Sequence, residues 1–101
     1  MSRIPIHPGE ILTDELEALE MTATELARAI QVPPNRITAI MAGKRAVTAD
    51  TALRLGRYFG TSAELWMNLQ KAYELKVARK AIASTLDSIP ERPNPGVAPV
   101  Y

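Results

Sequence analysis

The fold is decided by residues 22–42, which read TATELARAIQVPPNRITAIMA. Thr22, followed three residues later by Glu25, forms a capping-box pattern that predicts the start of a helix. Pro33 ends that helix, and Pro34 is suited to the first turn of another helix. The stretch therefore predicts two short helices that are separated by a tight turn.

Apolar residues at fixed offsets connect these two helices. A shared core is predicted from five of them, namely Leu26, Ile30, Val32, Ile37 and Ile40. The small side chain of Ala27 allows the close approach that a helix-turn-helix requires. In the turn, Gln31 occupies a position that usually needs a positive φ, and a left-handed Gln costs on the order of 1 kcal/mol. The pattern as a whole predicts a helix-turn-helix.

Helical spacing of apolar residues continues on both sides of the motif. Pro8 begins a first helix, Thr48 caps a fourth, and a longer fifth helix extends from about residue 61 to about residue 82. Four prolines lie among the last twelve residues and are incompatible with a regular helix there. We therefore expect an all-α fold of five helices over residues 1–82 and an extended or mobile proline-rich tail over residues 83–101.

The residue types that are missing exclude several classes of protein. The chain has one histidine and no cysteine, so disulfides and thiolate metal sites are excluded, and no metal or other cofactor is expected. His7, which precedes Pro8, is predicted to be an N-cap or a surface residue rather than a catalyst. No pair of nucleophile and base can be named, so we expect no enzymatic activity.

No part of the sequence predicts a membrane or secreted location. Apolar runs are far shorter than the roughly 18 residues of a membrane span. The first residues, MSRIPIHPGE, lack the apolar stretch of a signal peptide. We expect a cytoplasmic protein that does not bind a membrane.

Charge is distributed unevenly along the chain. Residues 1–25 hold one basic residue and six acidic ones, whereas residues 26–60 hold six basic residues and one acidic residue. A surface that binds a polyanion is therefore expected in the middle of the chain.

A helix-turn-helix in this basic segment predicts DNA binding, with the second helix in the major groove. The outward positions of that helix are predicted to read bases, and they are Asn35, Arg36, Thr38 and Ala39. Phosphates are predicted to be bound by Lys44, by Arg45 and by free N–H groups near Thr22. Lys44 and Arg45 are equally consistent with an ordinary solvated loop.

The fifth helix has more apolar surface on one side than a small core requires. This side is formed by Leu65, Trp66, Leu69, Tyr73 and Val77. We expect the protein to form a homodimer through this side of the helix, with Leu65, Trp66, Leu69 and Tyr73 in the interface.

Three segments resemble the HigA-type antitoxins, within the Xre group of phage-repressor-like DNA-binding proteins. They are HPGEIL at residues 7–12, GKRAVTADTALRL at residues 43–55, and Gly60-Thr61-Ser62 followed by Trp66, Asn68, Leu69 and Gln70. Gln31 and Pro33 stand where Gly and Ser are commoner. The resemblance implies a five-helix fold, a homodimer and binding to a palindromic operator in the protein's own promoter. It also implies neutralisation of a HigB-type toxin, a RelE-like ribonuclease that cleaves mRNA.

An acidic face on the first helix is a candidate surface for such a toxin. Glu10, Asp14 and Glu17 are spaced to lie together, opposite the apolar stripe of that helix. An RNA-cleaving partner must present basic surface to its substrate, and an acidic face is complementary to it. The same residues are also consistent with a plain solvated face.

Two other functions are consistent with the residues. One is a solitary Xre-type transcription regulator without a toxin partner. The other is a helical protein-interaction module that has kept the fold and lost DNA binding.

Overall fold

The computed structural model describes residues 5–93, and within that range all regular structure is helical. Six helices follow one another: α1 (Pro8–Ala18), α2 (Ala23–Ile30), α3 (Pro34–Met41), α4 (Ala49–Phe59), α5 (Ala63–Ala81) and α6 (Ala83–Ser88). The predicted all-α class and the first five helices are confirmed. The sixth helix was not predicted. An extended tail was expected from residue 83 on account of the prolines, but the first of these is Pro90, which follows the end of α6. Residues 94–101 of the predicted tail lie outside the described residues.

His7 is the N-cap of α1 and fixes the point at which the helix begins. Its Nδ1 accepts a hydrogen bond from the Gly9 N–H at 2.9 Å, and Glu10 Oε2 accepts one from the His7 N–H at 3.2 Å. This reciprocal capping box confirms His7 as an N-cap, although the side chain is buried rather than on the surface. Gly9 then allows a close approach, since a Cβ there would lie 1.8 Å from the carbonyl oxygen of Ile40. The start of α1 is thereby packed directly against the end of α3.

The core is built mainly from the first four helices. α1 buries Leu12 and Leu16 on the side that faces the helix-turn-helix. The helix-turn-helix and its neighbours contribute the remaining buried apolar residues, which are Leu26, Ala27, Ile30, Val32, Ile37, Ile40, Val47, Ala52, Leu55 and Trp66. The core therefore holds α2 and α3 against α1 on one side and α4 on the other.

The beginning of α5 completes this core, which alters one predicted interface. Trp66 is 3% exposed, donates from Nε1 to Thr61 Oγ1 at 3.2 Å, and lies 6.0 Å from the ring of Phe59. Its assignment to a dimer interface is wrong, because α5 packs on α4 and the indole fills the core of this chain. Leu65 is exposed, and Tyr73 is half-buried, with its ring edge-to-face on His7 at 4.8 Å.

Gln70 joins α5 to the loop between α3 and α4. The side chain is buried, its Oε1 accepts from the Val47 N–H at 2.8 Å, and its Nε2 donates to Glu74 Oε2 at 2.8 Å. Beyond Tyr73 α5 leaves the core, and its side chains are exposed. Exposed apolar residues continue along the rest of α5, the junction with α6, α6 itself and the residue after it: Leu75, Val77, Ile82, Leu86 and Ile89.

Two classes of feature are missing from residues 5–93. None of the six helices combines the length and the apolar character that crossing a membrane needs. Over the same range, no group of three or more His, Asp or Glu residues is placed to hold a metal ion.

Candidate nucleic-acid interface

The turn between α2 and α3 is closed by main-chain hydrogen bonds. Gln31 has a φ of 63° and a ψ of 48°, in the left-handed region. This conformation lets the Val32 N–H donate to the Ala27 carbonyl at 2.9 Å, which is the closure that usually follows a helix C-terminus. Pro33 then caps α3 in an extended conformation. The chain therefore turns from α2 into α3 within three residues, as the motif predicted, with Gln31 in the position usually taken by Gly.

The predicted core of the motif is present in full. Four of its six positions are completely buried, and the other two, Ile30 and Val32, are also buried. α3 consequently turns one side inward and presents the opposite side to solvent. The outward side contains Asn35 and Thr38, and Ala39 is half-buried beside them.

The side chains on this outward side differ in whether their polar groups are already hydrogen-bonded within the protein. Asn35 is exposed, and its amide is available to a partner. Thr38 donates its hydroxyl hydrogen to the main-chain carbonyls of Pro34 or Asn35, at 3.4 and 3.3 Å. The Thr38 methyl group and the Ala39 methyl group therefore offer apolar contact, while Asn35 offers a paired donor and acceptor.

Arg36 does not point outward, so the predicted orientation is wrong. It lies four residues before Ile40 and hence on the same side of the helix. Its Nη1 binds Asp50 Oδ2 of α4 at 3.2 Å, and its side chain is 25% exposed. Arg36 thus contacts α4.

Asp50 and Arg54 were not identified as site residues from the sequence. Arg54 Nε binds the same Asp50 oxygen at 3.0 Å, and Arg54 Nη1 donates to the Ile30 and Gln31 carbonyls at 2.8 and 3.1 Å. The spacing of four between Asp50 and Arg54 was a usable signal for their ion pair. The contact of Arg54 with the end of α2 carried no such signal, because it joins residues 24 positions apart.

The loop after α3 carries the remaining predicted phosphate contacts. Gly43 has a φ of 74° and ends the helix, and the Lys44 N–H then donates to the Ala39 carbonyl at 2.9 Å. Lys44 and Arg45 are both exposed. Both ion pairs described within residues 5–93 use Asp50, so these two cations are left to solvent or to a ligand.

The start of α2 is less suited to a phosphate than the sequence predicted. Thr22 Oγ1 accepts from the Glu25 N–H at 3.1 Å, and Glu25 Oε1 accepts from the Thr22 N–H at 2.8 Å. The two N–H groups of this capping box are therefore not free. Hydrogen bonds from the Thr22 main chain, and then from its hydroxyl, lower the pKa of Glu25, which keeps a negative charge at this helix end. A phosphate at the start of α2 can therefore bind only to the N–H groups outside this capping box, and the negative charge of Glu25 repels it.

The acidic face predicted on α1 is exposed. Asp14 and Glu17 are both open to solvent, opposite the buried Leu12 and Leu16. Glu10 is also exposed, but it is engaged in capping His7. The face therefore consists of two carboxylates open to a partner and a third that stabilises the helix start.

Comparisons with known proteins agree on the family. Residues 12–66 match the family described as Helix-turn-helix. Virulence-associated protein I of Dichelobacter nodosus is 53% identical over 76 residues, which are 74% of this chain and 70% of that protein.

Solved structures that resemble the whole fold include two HigA proteins. An addiction module antidote protein of a HigA family from Coxiella burnetii is 46% identical, with a TM-score of 0.82 over 99% of this chain and 100% of that one. The Pseudomonas aeruginosa antitoxin HigA, solved with the higBA promoter, is 43% identical, with a TM-score of 0.82 over 93% and 100%.

Proposed function

The chain belongs to the HigA-type antitoxins of the helix-turn-helix family, a non-enzymatic DNA-binding class, and we propose that it represses its own promoter and neutralises a HigB-type toxin. One observation carries the DNA-binding part of this proposal. The outward side of α3 exposes Asn35 and Thr38, and the cationic pair Lys44 and Arg45 follows directly after the helix.

Sequence is read by the outward side of α3 in the major groove. The amide of Asn35 matches the N6 and N7 positions of adenine, and the methyl groups of Thr38 and Ala39 match the methyl group of thymine. Lys44 and Arg45 bind phosphates and set the orientation of the helix without reading bases. The solved complex of the Pseudomonas aeruginosa HigA with a promoter supports this use of the fold.

The operator is a palindrome that is bound by a homodimer. A two-fold dimer places two copies of α3 about one helical turn apart, roughly 10 bp, or a multiple of that distance. Leu65, Leu69 and Tyr73 follow one another at intervals of four along α5 and leave apolar surface exposed or half-buried. They provide the dimer contact in this proposal.

The toxin is bound by the acidic face of α1. Asp14 and Glu17 are exposed on the side of α1 opposite to Leu12 and Leu16, so a partner reaches them without disturbing the core. A ribonuclease presents cations to its RNA substrate, and these carboxylates are complementary to such a surface. Covering those cations neutralises the toxin.

Titration of the chain's own promoter tests the DNA-binding proposal. The protein is titrated against a duplex of this promoter and a scrambled duplex of equal length, at several salt concentrations. We expect the promoter to bind at least about a thousandfold more tightly. Equal, salt-sensitive binding to both duplexes would contradict sequence-specific repression.

Coexpression with the neighbouring toxin gene tests the antitoxin proposal. Asp14→Lys with Glu17→Lys removes the open part of the acidic face and retains Glu10, which caps α1. The matched control is Asp87→Lys with Glu91→Lys, which changes the same charges on α6 and just after it, outside the proposed dimer contact. We expect the α1 variant alone to associate more slowly with the toxin and to rescue growth less well, with operator affinity within a few fold of wild type.

Two results of this experiment would count against parts of the proposal. Equal rescue by the α1 variant and its control would remove the acidic face from the toxin interface. A promoter that is bound and repressed, with no neighbouring toxin that copurifies, would favour the solitary regulator.

A further inference from the structure

The carboxylate of Asp50 joins both helices of the motif to α4. Its Oδ2 accepts from Arg36 of α3 at 3.2 Å and from Arg54 of α4 at 3.0 Å. Arg54 also donates to the carbonyl oxygens of Ile30 and Gln31, at 2.8 and 3.1 Å. Those carbonyls lie at the end of α2. One series of polar contacts therefore extends from α3 through α4 to α2.

Arg36 depends on this carboxylate for its position. Its side chain is largely shielded from solvent, and its Nε is buried without a hydrogen-bond partner among residues 5–93. A partly desolvated guanidinium that loses its carboxylate is costly to keep in place. Loss of the Asp50 charge therefore favours a rotamer in which Arg36 leaves α4. Arg36 lies in the first turn of α3, next to the exposed Asn35, so this release brings its guanidinium toward solvent.

We infer that Asp50 is a positioning residue for sequence discrimination, an inference that rests on the proposed function. Asp50 holds Arg36 away from the phosphates and fixes α3 on α4, so that Asn35 and Thr38 meet the bases in one register. An Arg36 released from Asp50 adds a phosphate contact that carries no sequence information. Loss of Asp50 therefore lowers discrimination between sequences and does not lower the affinity for DNA in general.

The test compares wild type with Asp50→Asn on two duplexes of equal length. One duplex is selected by the wild-type protein from random sequences, and the other is a scrambled version of it. We expect Asp50→Asn to lower the ratio of the two affinities about tenfold, the size of one good base contact. We also expect it to bind the scrambled duplex at least as tightly as wild type, with a salt slope steeper by about one.

The matched control is Asp87→Asn, which removes the same charge from the exposed helix α6. We expect it to leave the ratio of affinities unchanged. A merely structural role for Asp50 would weaken binding to both duplexes together, which would overturn the inference. The inference would also be overturned if the ratio of the two duplex affinities for Asp50→Asn stayed within about twofold of the wild-type ratio.

A second variant covers the case in which Asp50→Asn does not fold. Asp50→Glu keeps the charge and moves the carboxylate by one methylene, so we expect a smaller loss of discrimination and no increase in salt slope. An unchanged ratio in this variant would overturn the inference. Failure of the proposed function is a separate result, since the wild-type protein would then select no sequence from the random duplexes.

Discussion

Gln31 shows how one residue is held in a backbone conformation that its type disfavours. Its φ of 63° is positive, which costs a residue with a Cβ about 1 kcal/mol. The conformation is retained because it closes the turn and because Arg54 donates to the carbonyls of Ile30 and Gln31. The strain at this position is therefore offset by contacts from the neighbouring helix.

Replacement of Gln31 by glycine is expected to stabilise the protein. The side chain is exposed, so little contact is lost, and glycine removes the left-handed penalty. We expect Gln31→Gly to raise the free energy of unfolding by about 0.5 to 1 kcal/mol in urea titrations. The matched control Ala29→Gly lies in the right-handed part of α2 and should lower it by about 1 kcal/mol. Destabilisation by both changes would argue against this account of the turn.

Asn35 and Lys44 are expected to contribute to DNA binding in different ways. Asn35→Ala removes a base contact, so operator affinity should fall by about 1 to 3 kcal/mol, with relaxed specificity at one base pair. Lys44→Ala removes a phosphate contact, so it should weaken operator and random DNA alike and lower the salt slope by about one. Titrations on single-base operator variants separate the two effects. An equal loss of specificity from both changes would mean that another helix enters the groove.

At the scale of helices, the capping box of α2 makes stability depend on pH. Hydrogen bonds from Thr22 lower the pKa of Glu25 in the folded protein relative to an unfolded glutamate. The stabilisation is therefore complete above the unfolded pKa, about 4.5, and is lost as the pH falls through the lowered pKa.

The variant Glu25→Gln measures this contribution. We expect the free energy of unfolding of wild type to exceed that of the variant at neutral pH, and the difference to shrink on acidification below about pH 4. Urea titrations across this pH range provide the measurement. A difference that stays constant throughout the range would contradict a stabilising role of the ionised carboxylate.

The helices of the motif were predictable from the sequence, whereas their contacts with other helices were not. Capping boxes, prolines and apolar spacing act within a few residues, which is why α2 and its turn were located correctly. Arg36 was assigned to the DNA side because its partner, Asp50, is 14 residues away and gives no local signal. Trp66 was misassigned for the same reason, since the packing of α5 on α4 decides which apolar residues remain exposed.

For the molecule as a whole, binding to the proposed operator with two half-sites requires a dimer. Leu65 is 44% exposed at the start of α5, next to the half-buried Leu69. We expect Leu65→Asp to convert the dimer to a monomer in sedimentation experiments and to lower operator affinity about a hundredfold, because two linked half-sites bind far more tightly than one.

The matched control Leu53→Asp changes a residue of α4 that is 64% exposed. It should leave the protein dimeric, and operator affinity should stay close to that of wild type. If both variants remain dimeric, the start of α5 is not the dimer contact.

A methylation-protection footprint on the chain's own promoter shows whether a dimer reads the operator with α3, since it reports which groove and how many half-sites are covered. We expect two protected patches in the major groove, related by a two-fold axis and separated by about 10 bp or a multiple of it. We also expect Asn35→Ala to lose protection at one base pair in each patch. A single patch, or protection confined to the minor groove, would contradict a dimer that reads its operator with α3.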